Sequence, residues 1–125
     1  MTSVLIIDDE PDLLAVLGDM LGAAGYAVRT AADGNAGIAS YRENPADLVL
    51  MDILMPGKEG ISTQIELKQE FPDVKIIAMS GGGQIAPERY LNAASTFGAR
   101  AVLAKPISRQ TLLDTVESCL KPDPE

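Results

Sequence analysis

The stretch that decides the fold is LVLMDILMP, residues Leu48–Pro56. Its first four residues are all apolar and lead to a single carboxylate, Asp52, and a loop opens soon afterwards at Pro56-Gly57. A short apolar run without polar alternation predicts a strand that is buried on both faces, which is typical of a parallel sheet. Asp52 would then lie at the carboxyl end of the strand, where open α/β sheets hold their ligands.

Four further apolar runs alternate with segments of helical periodicity. The other predicted strands are Ser3–Ile7, Tyr26–Thr30, Val74–Met79 and Ala99–Leu103. Helices are predicted to begin at Pro11, after a cap at Asp33, at Ile61, at Pro87 and after a cap at Ser108. Strict alternation of strands and helices indicates an α/β fold, a doubly wound five-stranded parallel sheet with helices on both faces.

Length and charge limit the class of protein. A chain of 125 residues predicts one domain. The 18 acidic and 10 basic residues give a net charge of −8, which argues against direct nucleic-acid binding because phosphate contacts need clustered Lys and Arg. The sequence contains no apolar run of the ~20 residues that span a bilayer, so we expect no membrane segment.

Cysteine and histidine usage narrows the chemistry further. The single cysteine, Cys119, lies in an apolar helical stripe and is expected to be a small buried hydrophobe. One cysteine excludes an internal disulfide and, without a signal peptide, favours a cytoplasmic protein. The chain has no histidine, which excludes Ser-His-Asp and Cys-His catalysis and nearly every zinc site.

Polar side chains stand where the predicted strands end. They are Asp8 and Asp9 after the first strand, Asp52 on the third, Ser80 on the fourth and Lys105 on the fifth. These strand ends converge on one crevice of a doubly wound sheet. Clustered carboxylates repel each other and favour a hard cation such as Mg²⁺. Each residue taken alone is also compatible with helix capping or an ordinary turn, whereas all of them together are much harder to explain in that way.

In this combination the motifs resemble the receiver domain of two-component response regulators. They are the Asp8-Asp9 pair, Asp52-x-x-Met55-Pro56-x-x-x-Gly60, Ser80-Gly81 and Lys105-Pro106. The resemblance extends from Val4 to Leu120 and implies a flavodoxin-like (βα)₅ fold with strand order 2-1-3-4-5. It implies a receiver domain over residues 1–121, with a short tail at 122–125 and no output domain.

The resemblance also implies a role for each site residue. Asp52 would accept a phosphoryl group from a phosphohistidine on a sensor histidine kinase or a histidine phosphotransfer protein. Asp9, Asp52 and the backbone carbonyl of Leu54 would bind Mg²⁺, with Asp8 acting largely through water. Ser80 and Lys105 would contact the phosphoryl oxygens, and a cis peptide bond would precede Pro106.

Downstream contacts are expected to be with proteins. The resemblance implies a target protein and a possible homodimer through the last two helices and the fifth strand. Many receivers carry Tyr or Phe three residues before the lysine, a position that is Val102 here. An aliphatic side chain at Val102 has no comparable swing, so we expect signalling to rely on the loop at 81–83 and the following helix.

Two other functions stay open at this point. An aspartate-nucleophile phosphatase would need a second acid two residues after Asp52, where the chain has Leu54. A receiver-like module that only binds partners would not need Asp52, Asp9 and Lys105 together. The residues therefore favour a phosphoacceptor that is not a conventional enzyme.

Overall fold

The computed structural model describes residues 2–53, 60–80 and 98–121, with the side chains at 60, 61 and 80 excluded. The strands are β1 (Ser3–Ile7), β2 (Ala27–Ala31), β3 (Leu48–Asp52), β4 (Ile76–Ser80) and β5 (Ala101–Ala104). The helices within these ranges are α1 (Pro11–Ala23), α2 (Gly34–Glu43), α3 (Gly60–Glu70) and α4 (Arg109–Leu120). The helix predicted from Pro87 and the tail at 122–125 lie outside the described residues.

The five strands form one parallel sheet in the order β2-β1-β3-β4-β5. This confirms the predicted α/β class, the parallel sheet and the strand order. The central strands β1 and β3 pair directly, with Ile7 opposite Met51. The register therefore brings the residues that follow Ile7 and Met51 to the same edge of the sheet.

The core has two halves, one on each face of the sheet. Along β1, Val4 and Ile6 belong to the half that α1 and α4 cover, whereas Leu5 and Ile7 belong to the half beneath α2 and α3. All four side chains are fully buried. Burial on both faces explains why the strand reads as an unbroken apolar run rather than as an alternating pattern.

Some element boundaries differ from the prediction by one or two residues. Tyr26 was predicted to begin β2, but its backbone N–H donates to the carbonyl of Leu21 at 3.1 Å and so belongs to the end of α1. Gly25 has a φ of +98°, the left-handed conformation in which a glycine commonly ends a helix. The strand therefore starts at Ala27. Likewise Val74 donates its N–H to Phe71 in a turn, and β4 begins at Ile76.

Helix α2 lies very close to β1 at Gly37. A Cβ atom at Gly37 would lie 2.3 Å from Cδ1 and 2.8 Å from Cγ1 of Ile7. Ile7 is fully buried, so its side chain has no space to move into. Gly37 therefore sets the distance between α2 and the sheet.

Within the described ranges, no helix is both long enough and apolar enough to cross a membrane.

We predict that Gly37→Ala destabilises the protein by about 1–3 kcal/mol, because overpacking against Ile7 outweighs the gain in helix propensity. The matched control is Gly18→Ala in α1, where the new Cβ would meet Val28 at an ordinary 3.6 Å. That control should stabilise the protein by up to about 1 kcal/mol. Urea denaturation measures both changes, and equal stabilisation by the two alanines would contradict the close packing at Gly37.

We also predict that Cys119 reacts slowly with thiol reagents in the native protein. Burial raises the pKa of its thiol, although the charges of Arg100 and Lys75 oppose that shift. A raised pKa leaves less thiolate at neutral pH, and the thiolate is the reactive form. The rate at which a chromogenic disulfide reagent modifies the Cys119 thiol should rise at least tenfold when urea unfolds the chain. A native rate equal to that of free glutathione would be inconsistent with this burial.

Candidate functional site

Two buried carboxylates lie at the carboxyl edge of the central strands. Asp52 is the last residue of β3, and Asp8 follows the last residue of β1. Asp8 is fully buried, and only 3% of Asp52 is exposed. Isolated carboxylates are rarely tolerated at such depth, because desolvation disfavours their charged form. This edge of the sheet therefore needs a compensating cation.

Lys105, which follows the outermost strand β5, supplies one positive charge at the same edge. Its Nζ donates to Oδ2 of Asp8 at 2.9 Å and to Oδ2 of Asp52 at 3.1 Å. A weaker contact of 3.8 Å joins the same Nζ to Oε1 of Glu10. One ammonium thus bridges the ends of β1 and β3, from a residue that follows β5. The peptide bond between Lys105 and Pro106 is cis, as the resemblance implies.

The charge state of Lys105 follows from these contacts. Burial alone would lower its pKa, but the hydrogen bonds and charges of Asp8 and Asp52 outweigh burial and raise the pKa above the usual value for lysine. Lys105 is therefore an ammonium throughout the neutral range. Its positive charge faces both buried carboxylates at once.

A group of three carboxylates begins at the end of β1. One oxygen from each of Asp8, Asp9 and Glu10 lies within 4.8 Å of the others, close enough to share one metal ion. Glu10 occupies the N-cap position of α1 but makes no side-chain capping bond. Its backbone N–H instead donates to Oδ1 of Asp8 at 2.9 Å. Capping therefore does not account for the Asp9 and Glu10 side chains.

The group contains a residue that the sequence-based prediction left out. Glu10 directly follows the two aspartates, but it was not among the site residues predicted from the sequence. The position of Glu10 beside Asp8 and Lys105 becomes apparent only in the folded chain. Asp52 was predicted as a metal ligand but does not belong to this group, although Lys105 connects it to Asp8.

The remaining predicted site residues are described only in part. Ser80 ends β4 and pairs with Ala104, so its backbone lies beside the residue that precedes Lys105. Leu54, Met55 and the loop at 81–83 lie outside the described residues. Val102 pairs with Ala78 and is 36% exposed, which places an aliphatic side chain at the surface of β5.

The arrangement can bind a hard divalent cation and hold a second anionic group. Carboxylate oxygens are the ligands that Mg²⁺ prefers, and the Asp8, Asp9 and Glu10 oxygens lie close enough together to meet at one ion. The geometry therefore fits Mg²⁺. A nearby ammonium adds a contact for a phosphoryl oxygen. Together these groups favour phosphoryl chemistry at the end of β3.

Comparison with known proteins agrees with this geometry. Residues 4–117 match the family model described as the response regulator receiver domain. The chain is 34% identical to protein PilH of Pseudomonas aeruginosa over 122 residues, covering 96% of this chain and 98% of PilH. It is 33% identical to the chemotaxis protein CheY of Treponema pallidum, covering 94% of this chain and 82% of that protein. It spans only 26% of the transcriptional regulatory protein GlrR of Escherichia coli, at 30% identity.

Solved structures show the same fold. A response regulator receiver domain protein from Clostridium thermocellum superposes with a TM-score of 0.88 at 28% identity, covering 96% of this chain and 94% of that chain. The response regulator TrrA from Thermotoga maritima, solved with Mg²⁺ and BeF, gives a TM-score of 0.84 at 28% identity, covering 95% and 99%. The chain therefore belongs to the response regulator receiver domain family, a signalling module of two-component systems rather than a conventional enzyme.

Proposed function

We propose that Asp52 is the phosphoacceptor of this receiver domain. The observation that carries the proposal is the Lys105 ammonium, which lies 3.1 Å from the Asp52 carboxylate and 2.9 Å from Asp8. The carboxylate is nearly buried at the end of a central strand and already has a cation beside it. This is the environment that a phosphoryl group needs, because its transfer depends on positioning and charge neutralisation.

The donor is proposed to be a phosphohistidine on a partner protein. A receiver domain implies a histidine kinase as partner, and this chain contains no histidine of its own. An oxygen of Asp52 attacks phosphorus, the bond from phosphorus to the histidine nitrogen breaks, and the electron pair leaves with that nitrogen. The product is an acyl phosphate on Asp52. Attack by water on the same phosphorus later restores the carboxylate and makes the switch reversible.

The chain's own residues orient and neutralise the phosphoryl group. Lys105 is placed to pair with one of its oxygens, because its Nζ already contacts the carboxylate that would bear it. Ser80, at the end of the neighbouring strand β4, is proposed to donate a hydrogen bond to another oxygen. Asp8 holds Lys105 in place from the side of β1.

Mg²⁺ is the proposed cofactor. Asp8, Asp9 and Glu10 are the residues with oxygens close enough to share it, and the backbone carbonyl of Leu54 and Asp52 complete the proposed set. When bound, the ion would neutralise negative charge on the phosphoryl oxygens. The structure of TrrA with Mg²⁺ and BeF supports the proposal for this family.

The partners proposed are a sensor histidine kinase or histidine phosphotransfer protein, and a downstream target protein. A homodimer through β5 and the last two helices is proposed as well, and the exposed Val102 lies on that strand. The cytoplasmic location stays a prediction.

We predict that wild-type protein incubated with Mg²⁺ and a small acyl phosphate gains the mass of one phosphoryl group, whereas Asp52→Asn gains none. The amide of asparagine cannot form the acyl phosphate. Intact-mass spectrometry measures the gain. Asp19→Asn, which removes one exposed carboxylate from α1, is the matched control and should be phosphorylated like the wild type.

Three outcomes of this measurement separate the candidate functions. An equal mass gain in Asp52→Asn would reject Asp52 as the acceptor. No gain in any variant, with any donor or with a phosphorylated kinase, would favour the module that only binds partners. Continuous release of phosphate over many turnovers from unrelated phosphate esters would favour the phosphatase.

We predict that Lys105→Met destabilises the metal-free protein by about 3 kcal/mol, because it leaves Asp8 and Asp52 buried without their shared cation. Since the pKa of Lys105 is raised above its unfolded value, this contribution is complete at neutral pH and is lost only in alkali. Added Mg²⁺ should restore part of the lost stability.

Thermal denaturation in a chelator and in excess Mg²⁺ measures the effect. Lys121→Met, which removes an exposed ammonium at the end of α4, is the control and should change stability by less than about 0.5 kcal/mol. A Lys105→Met protein as stable as the wild type in chelator would show that the ion pairs do not compensate the buried carboxylates.

A further inference from the structure

A second polar cavity lies at the opposite edge of the sheet. Its volume is about 340 Å³, and Thr2, Asp47 and Lys75, each next to the start of a strand, contribute to its wall. Leu120, the last residue of α4, closes one side. Asp8, Asp52 and Lys105 do not line it. The cavity is therefore separate from the proposed phosphorylation site.

Tyr41 presents an unpaired hydroxyl to this cavity. The residue is only 7% exposed, and its ring packs edge-on against Phe71 with the centroids 4.8 Å apart. Its ring is thus fixed in the core, while the residue also lines the cavity. Within the described part of the chain the hydroxyl has no hydrogen-bond partner. A hydroxyl that makes no bond within the protein can donate to or accept from a ligand in the cavity.

Two carboxylates line the same cavity as Tyr41. Ser3 fixes Asp47 by donating to its Oδ2 from the backbone N–H at 2.8 Å and from the side-chain Oγ at 3.3 Å. Asp73 forms another part of the wall. Burial, followed by the charges of Asp47 and Asp73, raises the pKa of Tyr41.

The one ammonium in the wall already has a contact. Nζ of Lys75 donates to the backbone carbonyl of Leu120 at 3.4 Å. This contact holds the ammonium at the end of α4. Helices of a parallel α/β fold run back from the carboxyl edge of the sheet, so α2 and α4 both end here. Their carbonyl ends add partial negative charge, which favours a cation.

We infer that this cavity binds a small organic cation, a protonated primary amine, whose ammonium donates to the Tyr41 hydroxyl and to the carboxylates of Asp47 and Asp73. The three acceptors match the three N–H bonds of an ammonium. The volume is at the lower end of the range for small-molecule sites, which suits a short aliphatic amine. An anion would meet two carboxylates and the carbonyl ends of two helices.

Putrescine is the probe, and its neutral analogue is the diol of the same chain length. Titration into isotopically labelled full-length protein, followed by NMR, should shift amide signals at 2–3, 41–47 and 73–75, whereas the diol should not. Tyr41→Phe keeps the ring on Phe71 and should weaken binding roughly threefold to tenfold. Asp73→Asn should weaken it about tenfold or more, because it removes a charged acceptor.

Two control variants test whether putrescine binding depends on this cavity. Asp19→Asn removes the same charge from an exposed position in α1 and should bind putrescine like the wild type. Asp52→Asn should also bind it unchanged, because its carboxylate lies at the other edge of the sheet. The inference is overturned if the diol binds equally well, if Asp19→Asn weakens binding as much as Asp73→Asn, or if the shifts occur only around Asp8 and Asp52.

Discussion

The structure depends on a single ammonium that lies between two buried carboxylates. Asp8 and Asp52 come from adjacent central strands, and the register of the parallel sheet places them at the same edge. Without Lys105, their repulsion would oppose the pairing of the two strands that hold the core together. The local requirement for a cation is therefore also a requirement of the fold. The proposed metal ion and phosphoryl group would act on the charge balance at this same edge.

Much of the fold could be predicted because a strand that is buried on both faces of a parallel sheet has an unbroken run of apolar residues. Leu48 to Met51 is apolar at every position since every side chain is buried. Turn residues such as Gly25 and the cap at Asp33, which accepts from the N–H of Ala36 at 2.7 Å, marked helix ends. The misplaced start of β2 has a physical reason: a hydrogen bond across the helix end decided it, and apolar patterning does not encode that bond.

For the candidate site, the sequence predicted which residues lie together but not the contacts between their side chains. Residues that follow strands could be grouped because topology alone brings strand ends together. The contact of Lys105 with both aspartates could not be predicted, because it depends on how far the lysine side chain extends across the sheet. The cavity beside Tyr41 could not be predicted from the sequence, since Asp47 precedes β3 whereas Asp73 and Lys75 lie in the loop before β4, and no motif links the two segments. Only folding brings these groups together.

The long sequence separation of the central ion pair has a consequence for how the protein is made. Lys105 and Asp8 are 97 residues apart, and Lys105 follows β5, the last strand in the order of the chain. Contacts of such separation are costly to form early in folding, because a long loop must close first. During synthesis, the two carboxylates emerge well before their ammonium. A chain that has assembled β1 and β3 but not β5 therefore has Asp8 and Asp52 without the ammonium of Lys105, so the proposed acceptor site is completed only with the last strand.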